Sequence, residues 1–475
     1  MNPSLARNAV PAQQSAEVRQ RPTQPALDLL QRFGGYVAMV YVLMVYVRLA
    51  EYIPFHAHLP LIMTLILLLC TVFTNGIPRA FNSKTAMLLS ALAGWFIVSI
   101  PFSFWRYGSL MLLTGYYSFA FLSFVGVTAL IVTLQQLRKL TWFIAAGAWV
   151  LALLALFYGS ESLGRSGISA EVSGSLTNPN DVALYLIFGL PFSVLVVLDP
   201  ARSRLMRLLA LAASMVTVYA TLRTGSRMGL LGLLVLAVSL LLRGSMKLAL
   251  FGAGFLLAVL ALVSAVLPEG AMVRYRAMLH SDVEVFAEAQ KNEDPNAAAD
   301  QLEKARDSAA SRKALILSGI LLTLRHPLFG VGPGQFGNAM AQDQNRPLAW
   351  VQPHNTYTQL SSELGLPGFV LFVWVVIHSM RASYRIYRTN KGRRDLVWVS
   401  RLGYCLFTCF VAFAVMGMFA HQAYSFMVPL LCGLTVVLER VGGYESARSP
   451  SAVPYIPAPR PPAAGVAVGR GNAQR

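Results

Sequence analysis

Long apolar runs recur along the chain, separated by short polar breaks. A run of about 18 or more residues with few charges is long enough to cross about 30 Å of hydrocarbon as a helix. On this pattern about twelve spans are expected, near 34–52, 58–75, 84–104, 109–134, 139–158, 181–198, 204–222, 228–243, 247–267, 367–387, 398–418 and 422–439. The fold class is therefore all-α, a polytopic membrane helical bundle. Between 268 and 366 the apolar rhythm stops for about 100 residues, far longer than an ordinary connection.

Composition agrees with this reading. The 475 residues are 56% hydrophobic and 13% charged, and the mean hydropathy is +0.55. The net charge of +18 is accounted for by arginine-rich cytoplasmic loops, so no nucleic-acid partner is expected. Cys70, Cys405, Cys409 and Cys432 all fall inside apolar runs and read as small buried hydrophobes, not as a disulfide or metal framework. About 30 polar residues precede the first run and no small-residue cleavage motif follows it, so no cleavable signal peptide is expected.

Sidedness follows from the loops. Arg79 and Lys84, Arg138 and Lys139, Arg202, Arg204 and Arg207, and the stretch "RASYRIYRTNKGRRD" alternate with loops poorer in lysine. By the positive-inside rule this set is cytoplasmic. The expected organisation is a cytoplasmic tail over 1–33, a bundle of about nine helices over 34–267 and a long periplasmic loop over 268–366. A bundle of about three helices over 367–439 and a disordered Pro/Ala/Gly-rich cytoplasmic tail over 440–475 complete it.

The outward segments nevertheless hold arginines, against the charge bias: Arg106, Arg165, Arg223, Arg227, Arg274, Arg276, Arg312 and Arg325. A guanidinium stays charged when partly desolvated and offers a fixed fork of donors, which suits a diphosphate at a membrane surface. The competing reading for each is a side chain snorkelling to lipid phosphate. Arg227 lies in "TGSRMG" at a helix start, where backbone N–H groups and a guanidinium can converge on one anion.

In "SRKALILSGILLTLRHPLFGVGPGQFG" (311–337) an apolar helix too short to span is expected to lie along the membrane surface, with Arg312 near its start. A tight turn built on Gly330, Gly332, Pro333 and Gly334 should follow. His354, in "QPHNTYTQLSSELGLPG", precedes a short helix that Gly365 can close. Asn355 can cap that helix or orient the His354 ring. His421, in "FAHQAYS", is a second candidate histidine.

Taken together, "GSLTNPNDVA" (174–183), "TGSRMG" (224–229), "HPLFGVGPGQF" (326–336) and "PHNTYTQLSSELGLPG" (353–368) resemble, in order and spacing, the O-antigen ligase and O-antigen polymerase superfamily. The resemblance covers roughly residues 165–370. It implies an inner-membrane glycosyltransferase that faces the periplasm. Such an enzyme moves a glycan from undecaprenyl diphosphate to an acceptor hydroxyl. It implies His354 as the activator of the acceptor, and Arg227, Arg312 and, with a weaker claim, Arg223 as the diphosphate holders. Asn178 and Asn180 match the family pattern without a role that can be derived.

A positioned imidazole is chemically suited to take a proton from a poor sugar nucleophile, and fixed positive charge to a leaving diphosphate. The sequence carries no Asp-x-Asp motif; Asp282-Val283-Glu284 comes nearest. Metal-independent, inverting transfer with no cofactor is expected. The partners are the lipid-linked donor, membrane lipids, and either lipid A–core or a growing glycan as acceptor. Ligation of O-antigen to lipid A–core is favoured over polymerisation of O-antigen or exopolysaccharide repeat units and over protein O-oligosaccharyl transfer. A polysaccharide transporter or flippase fits less well, because the spans hold almost no mid-membrane charge and show no internal repeat.

Overall fold

A computed structural model describes residues 29–49, 58–162, 165–169, 176–242, 313–343 and 352–448, together with isolated positions between 250 and 261. Up to the long loop the helices are α1 (Leu29–Val47), α2 (Leu59–Phe73), α3 (Gly76–Phe81), α4 (Lys84–Ser99), α5 (Arg106–Leu112), α6 (Ser118–Leu130), α7 (Leu134–Phe157), α8 (Pro179–Val197), α9 (Arg204–Arg223) and α10 (Arg227–Leu241). A short helix α11 covers 313–325. Then come α12 (Phe336–Asp343), α13 (Thr356–Asn390), α14 (Val397–Met416) and α15 (Met427–Arg448). A two-stranded antiparallel ribbon, Gly159–Ser162 against Arg165–Ile168, follows α7.

Among the described residues nine helical stretches are long and apolar enough to cross a membrane. The all-α polytopic class therefore stands. Two of the expected spans are shorter than the hydropathy suggested: α2 and α10 have 15 residues each, below the roughly 20 a straight crossing needs. The expected span at 247–267 lies almost wholly outside the described residues. The first span sits a turn earlier than expected, ending at Val47.

Polar side chains fix the two ends of the bundle. At one end the Gln31 amide donates to the Leu130 carbonyl (3.0 Å), Arg79 donates to Gln31 (3.0 Å), and Arg440 donates to the carbonyls of Thr128 and Ile131. These bonds satisfy carbonyls that a helix end leaves open. At the opposite end three helices begin at side-chain caps. Asn178 starts α8, with Pro179 at the first position; Ser226 starts α10 and Asn355 starts α13. Each cap oxygen accepts a backbone N–H of the first turn.

α13 is two helices across a break. Gly365 has φ +69, a conformation open to glycine and costly for residues with a Cβ. The break is held from outside: Leu366 N–H donates to the Pro327 carbonyl (2.8 Å) and the Trp95 indole to the Leu364 carbonyl (2.8 Å). The glycine turn after α11 forms as expected, with positive φ at Gly330, Gly332 and Gly334. It wraps the end of the short helix 356–364, where Val331 N–H donates to Ser362 (2.8 Å) and Gly332 N–H to Glu363 (3.0 Å). On α11, Leu317, Ile320, Leu321 and Leu324 are exposed along one face, the pattern of a helix with an apolar side turned to lipid. Arg312, expected near its start, lies outside the described residues.

Candidate active site at the convergence of three helix starts

His354 is one of three non-glycine residues with positive φ (+46) among the described residues. Such a backbone costs of order 1–3 kcal/mol and persists only where neighbours enforce it. Here the adjoining residues supply that restraint. Asn355 caps α13 through Tyr357 N–H and Thr358 N–H (3.0 Å each) and donates its own amide to the Met418 carbonyl (3.0 Å). Thr356 N–H donates to Gly417 (2.7 Å), and its hydroxyl donates to the Ala420 carbonyl (2.7 Å) while accepting Gln422 N–H (3.0 Å). The segment between α14 and α15 is thus stitched to the start of α13. The stitching brings the His421 ring against that of His354, centroids 5.4 Å apart and planes at 70°.

The same segment reaches α8. The Gln422 amide donates to Asp181 (2.8 Å) in the first turn of α8. One residue earlier, Asn180 accepts the Ser226 hydroxyl (2.7 Å), and its N–H donates to the Asn178 side chain (3.0 Å). Ser226 caps α10, whose first residue is the exposed Arg227. A continuous set of contacts therefore runs from His354 and Asn355 through Gln422 and Asp181 to Asn180, Ser226 and Arg227. Arg223 closes α9, four residues before α10 begins, across a turn that uses Gly225 at φ +59. Three helix N-termini, each with a positive dipole end, meet in one region, an arrangement that favours an anion.

Of the residues singled out from sequence, His354, Asn355, His421, Asn178, Asn180, Arg227 and Arg223 lie in this region. Arg312 lies outside the described residues. Among the described residues no group of three or more His, Cys, Asp or Glu side chains could hold a metal ion.

Sequence reading missed three participants. Asp181 and Gln422 sit inside motifs that were noted, but their pairing joins positions 241 apart and has no local signal. Glu363 was read only as part of a short polar helix. It is buried, and its carboxylate accepts Gly334 N–H (2.9 Å), Phe336 N–H (3.2 Å) and the Tyr424 hydroxyl (2.7 Å). Burial pushes the Tyr424 phenol well above its ordinary range, and the Glu363 carboxylate beside it raises it further. Tyr424 therefore stays protonated and donates.

Residues 209–373, about a third of the chain, match a family model described as O-antigen ligase. The match contains Arg223, Arg227, Arg312, His354, Asn355 and Glu363, and it spans the glycine turn that holds the α13 break. No curated protein matches the chain.

Proposed function

Because residues 209–373 match the O-antigen ligase family model, we propose that the chain is a member of the O-antigen ligase and polymerase superfamily and transfers a glycan from undecaprenyl diphosphate to an acceptor hydroxyl. On this reading the transfer takes place on the periplasmic face of the bacterial inner membrane. The observation that carries the proposal is the set of contacts that links His354, through His421 and the neighbouring Gln422, to the start of α8 and from there to the start of α10, which bears Arg227. Segment 268–366 is, on this reading, the periplasmic and catalytic part of the chain. Ligation to lipid A–core is the favoured outcome. A null strain should then show core-capped lipopolysaccharide and accumulate undecaprenyl-linked polymer, whereas loss of a polymerase leaves single repeats.

The chemistry runs as one displacement. The acceptor oxygen forms a bond to the anomeric carbon while its proton passes to the His354 imidazole. The bond from that carbon to the diphosphate oxygen breaks, and the undecaprenyl diphosphate leaves as an anion held by Arg227, with Arg312 and Arg223 as further holders. Attack opposite the leaving group inverts the centre. The imidazolium then gives its proton to water. The positive φ of His354 and the anchoring of Asn355 and Thr356 support a preset ring position, which lowers the cost of reaching the attacking geometry.

Two results are expected. Purified protein in nanodiscs should transfer a defined undecaprenyl-diphosphate glycan to lipid A–core with full activity in EDTA. Activity that EDTA abolishes and Mg²⁺ or Mn²⁺ restores would overturn the metal-free mechanism. Arg227→Lys keeps the charge but loses the two-pronged contact with phosphate oxygens. One lost hydrogen bond to a charged group is worth about 1.5–3 kcal/mol, so kcat/KM should fall by about 10- to 100-fold. A lysine variant as active as the parent would reduce Arg227 to a lipid-facing side chain.

A further inference from the structure

Beside the candidate site, α1 and α6 enclose a cavity of about 190 Å³. Its wall is apolar, with Met44, Val45, Phe119, Ala120 and Phe426, and one cation, Arg48, lines it. Arg48 is the first residue beyond α1 and has φ +56. Its guanidinium donates to the hydroxyls of Tyr116 (3.2 Å) and Tyr185 (3.0 Å).

Two features tie the cavity to the rest of the molecule. First, residues Leu113–Tyr117 form a π-helical turn between α5 and α6. That wider turn contributes Gly115 and Tyr116 to the cavity, and Gly115 is exposed on the outside of the bundle. Insertions of this kind recur at functional sites. Secondly, Tyr185 lies four residues after Asp181 on α8, so the two share a helix face. The Tyr185 hydroxyl that accepts from Arg48 is thus carried one helical turn from Asp181.

An apolar chamber with an exposed edge on the bundle exterior, and a guanidinium between it and a region that favours anions, is shaped for an amphiphile with a phosphorylated head. We propose that this cavity receives the phosphate-proximal isoprene units of a polyprenyl diphosphate, with Arg48 touching its diphosphate. The inference rests on the donor chemistry proposed above and adds where the carrier enters.

The test does not require transfer activity, so it can fail separately from the functional reading. The probe is farnesyl diphosphate carrying a benzophenone at its far end, added to the full chain in phosphatidylcholine nanodiscs. Crosslinks should map to α1 and α6. Gly115→Phe is the blocking variant, because Gly115 lines the exposed edge of the cavity and a Cβ there meets nothing within 4 Å. It should lower crosslinking at least tenfold while leaving the binding of inorganic pyrophosphate unchanged. Arg48→Gln should weaken both ligands. It serves as the second variant if Gly115→Phe does not yield monodisperse protein. Phosphatidylglycerol in excess should not compete. Crosslinking that survives both variants, or that phosphatidylglycerol suppresses as well as unlabelled farnesyl diphosphate does, would overturn the proposal; the second result would make the cavity an ordinary lipid site.

Discussion

His354→Ala is expected to lower glycan transfer by about 10²- to 10⁴-fold, the range a positioned general base contributes. The loss should fall on kcat, because the imidazole acts on the acceptor proton as the new bond forms and not on donor binding. The helix start does not depend on the ring: Asn355 caps α13 with its own side chain, and the anchoring of that start runs through Thr356, Asn355 and Gln422. Removing the ring also relieves nothing at the backbone, since alanine too is strained at φ +46. The variant should insert, express and melt close to the parent. A second comparison separates the two histidines, whose rings are 5.4 Å apart. If His421 only orients or neighbours His354, His421→Ala should cost about tenfold or less. A His354→Ala protein that transfers at the parental rate in nanodiscs would end the assignment. Equal losses at both positions would instead make the pair the functional unit.

The span positions were legible because each follows from a local property, the length of an apolar run. The caps at Asn355 and the turn at Gly330–Gly334 were legible for the same reason: a side-chain oxygen before a helix and a glycine at positive φ are local demands. What joins those pieces was not. The Trp95 indole reaches Leu364, and Gln422 reaches Asp181, across 269 and 241 positions. Neither residue type announces such a partner. Arg48 escaped notice for a simpler reason. A first span at 34–52 places Arg48 inside it, whereas α1 ends at Val47 and frees the arginine for the end of the bundle that holds the candidate site. A shift of one turn in a helix boundary thus moved a cation from the membrane interior to the edge of the candidate site.

Glu363→Ala is expected to have the largest effect on stability and to reach the site from a distance. Glu363 stands one residue before the end of the short helix that His354 and Asn355 begin. Its carboxylate is the common acceptor for the glycine turn, through Gly334 and Phe336, and for Tyr424 in the segment that carries His421. Alanine would leave two buried donors, Phe336 N–H and the Tyr424 hydroxyl, unmatched, with Gly334 N–H at an exposed position, and each unsatisfied buried group costs about 1–3 kcal/mol. A total of about 2–6 kcal/mol is expected from the two buried donors. Glutamine should be intermediate. With its oxygen facing Gly334 and Tyr424 it keeps two acceptances, and its amide meets only Phe336 N–H unfavourably. Tyr424→Phe removes one donor and should cost least, about 1.5–3 kcal/mol. The midpoints of thermal unfolding in detergent should therefore rank alanine below glutamine, and glutamine below Tyr424→Phe and the parent. Transfer should follow the same order, because the turn and the 417–426 segment hold the two ends of the short helix that presents His354. An alanine variant that melts with the parent would show that the turn is held by its backbone bonds to Ser362 and Glu363 alone. An alanine variant that is destabilised yet fully active at low temperature would separate the turn from the chemistry.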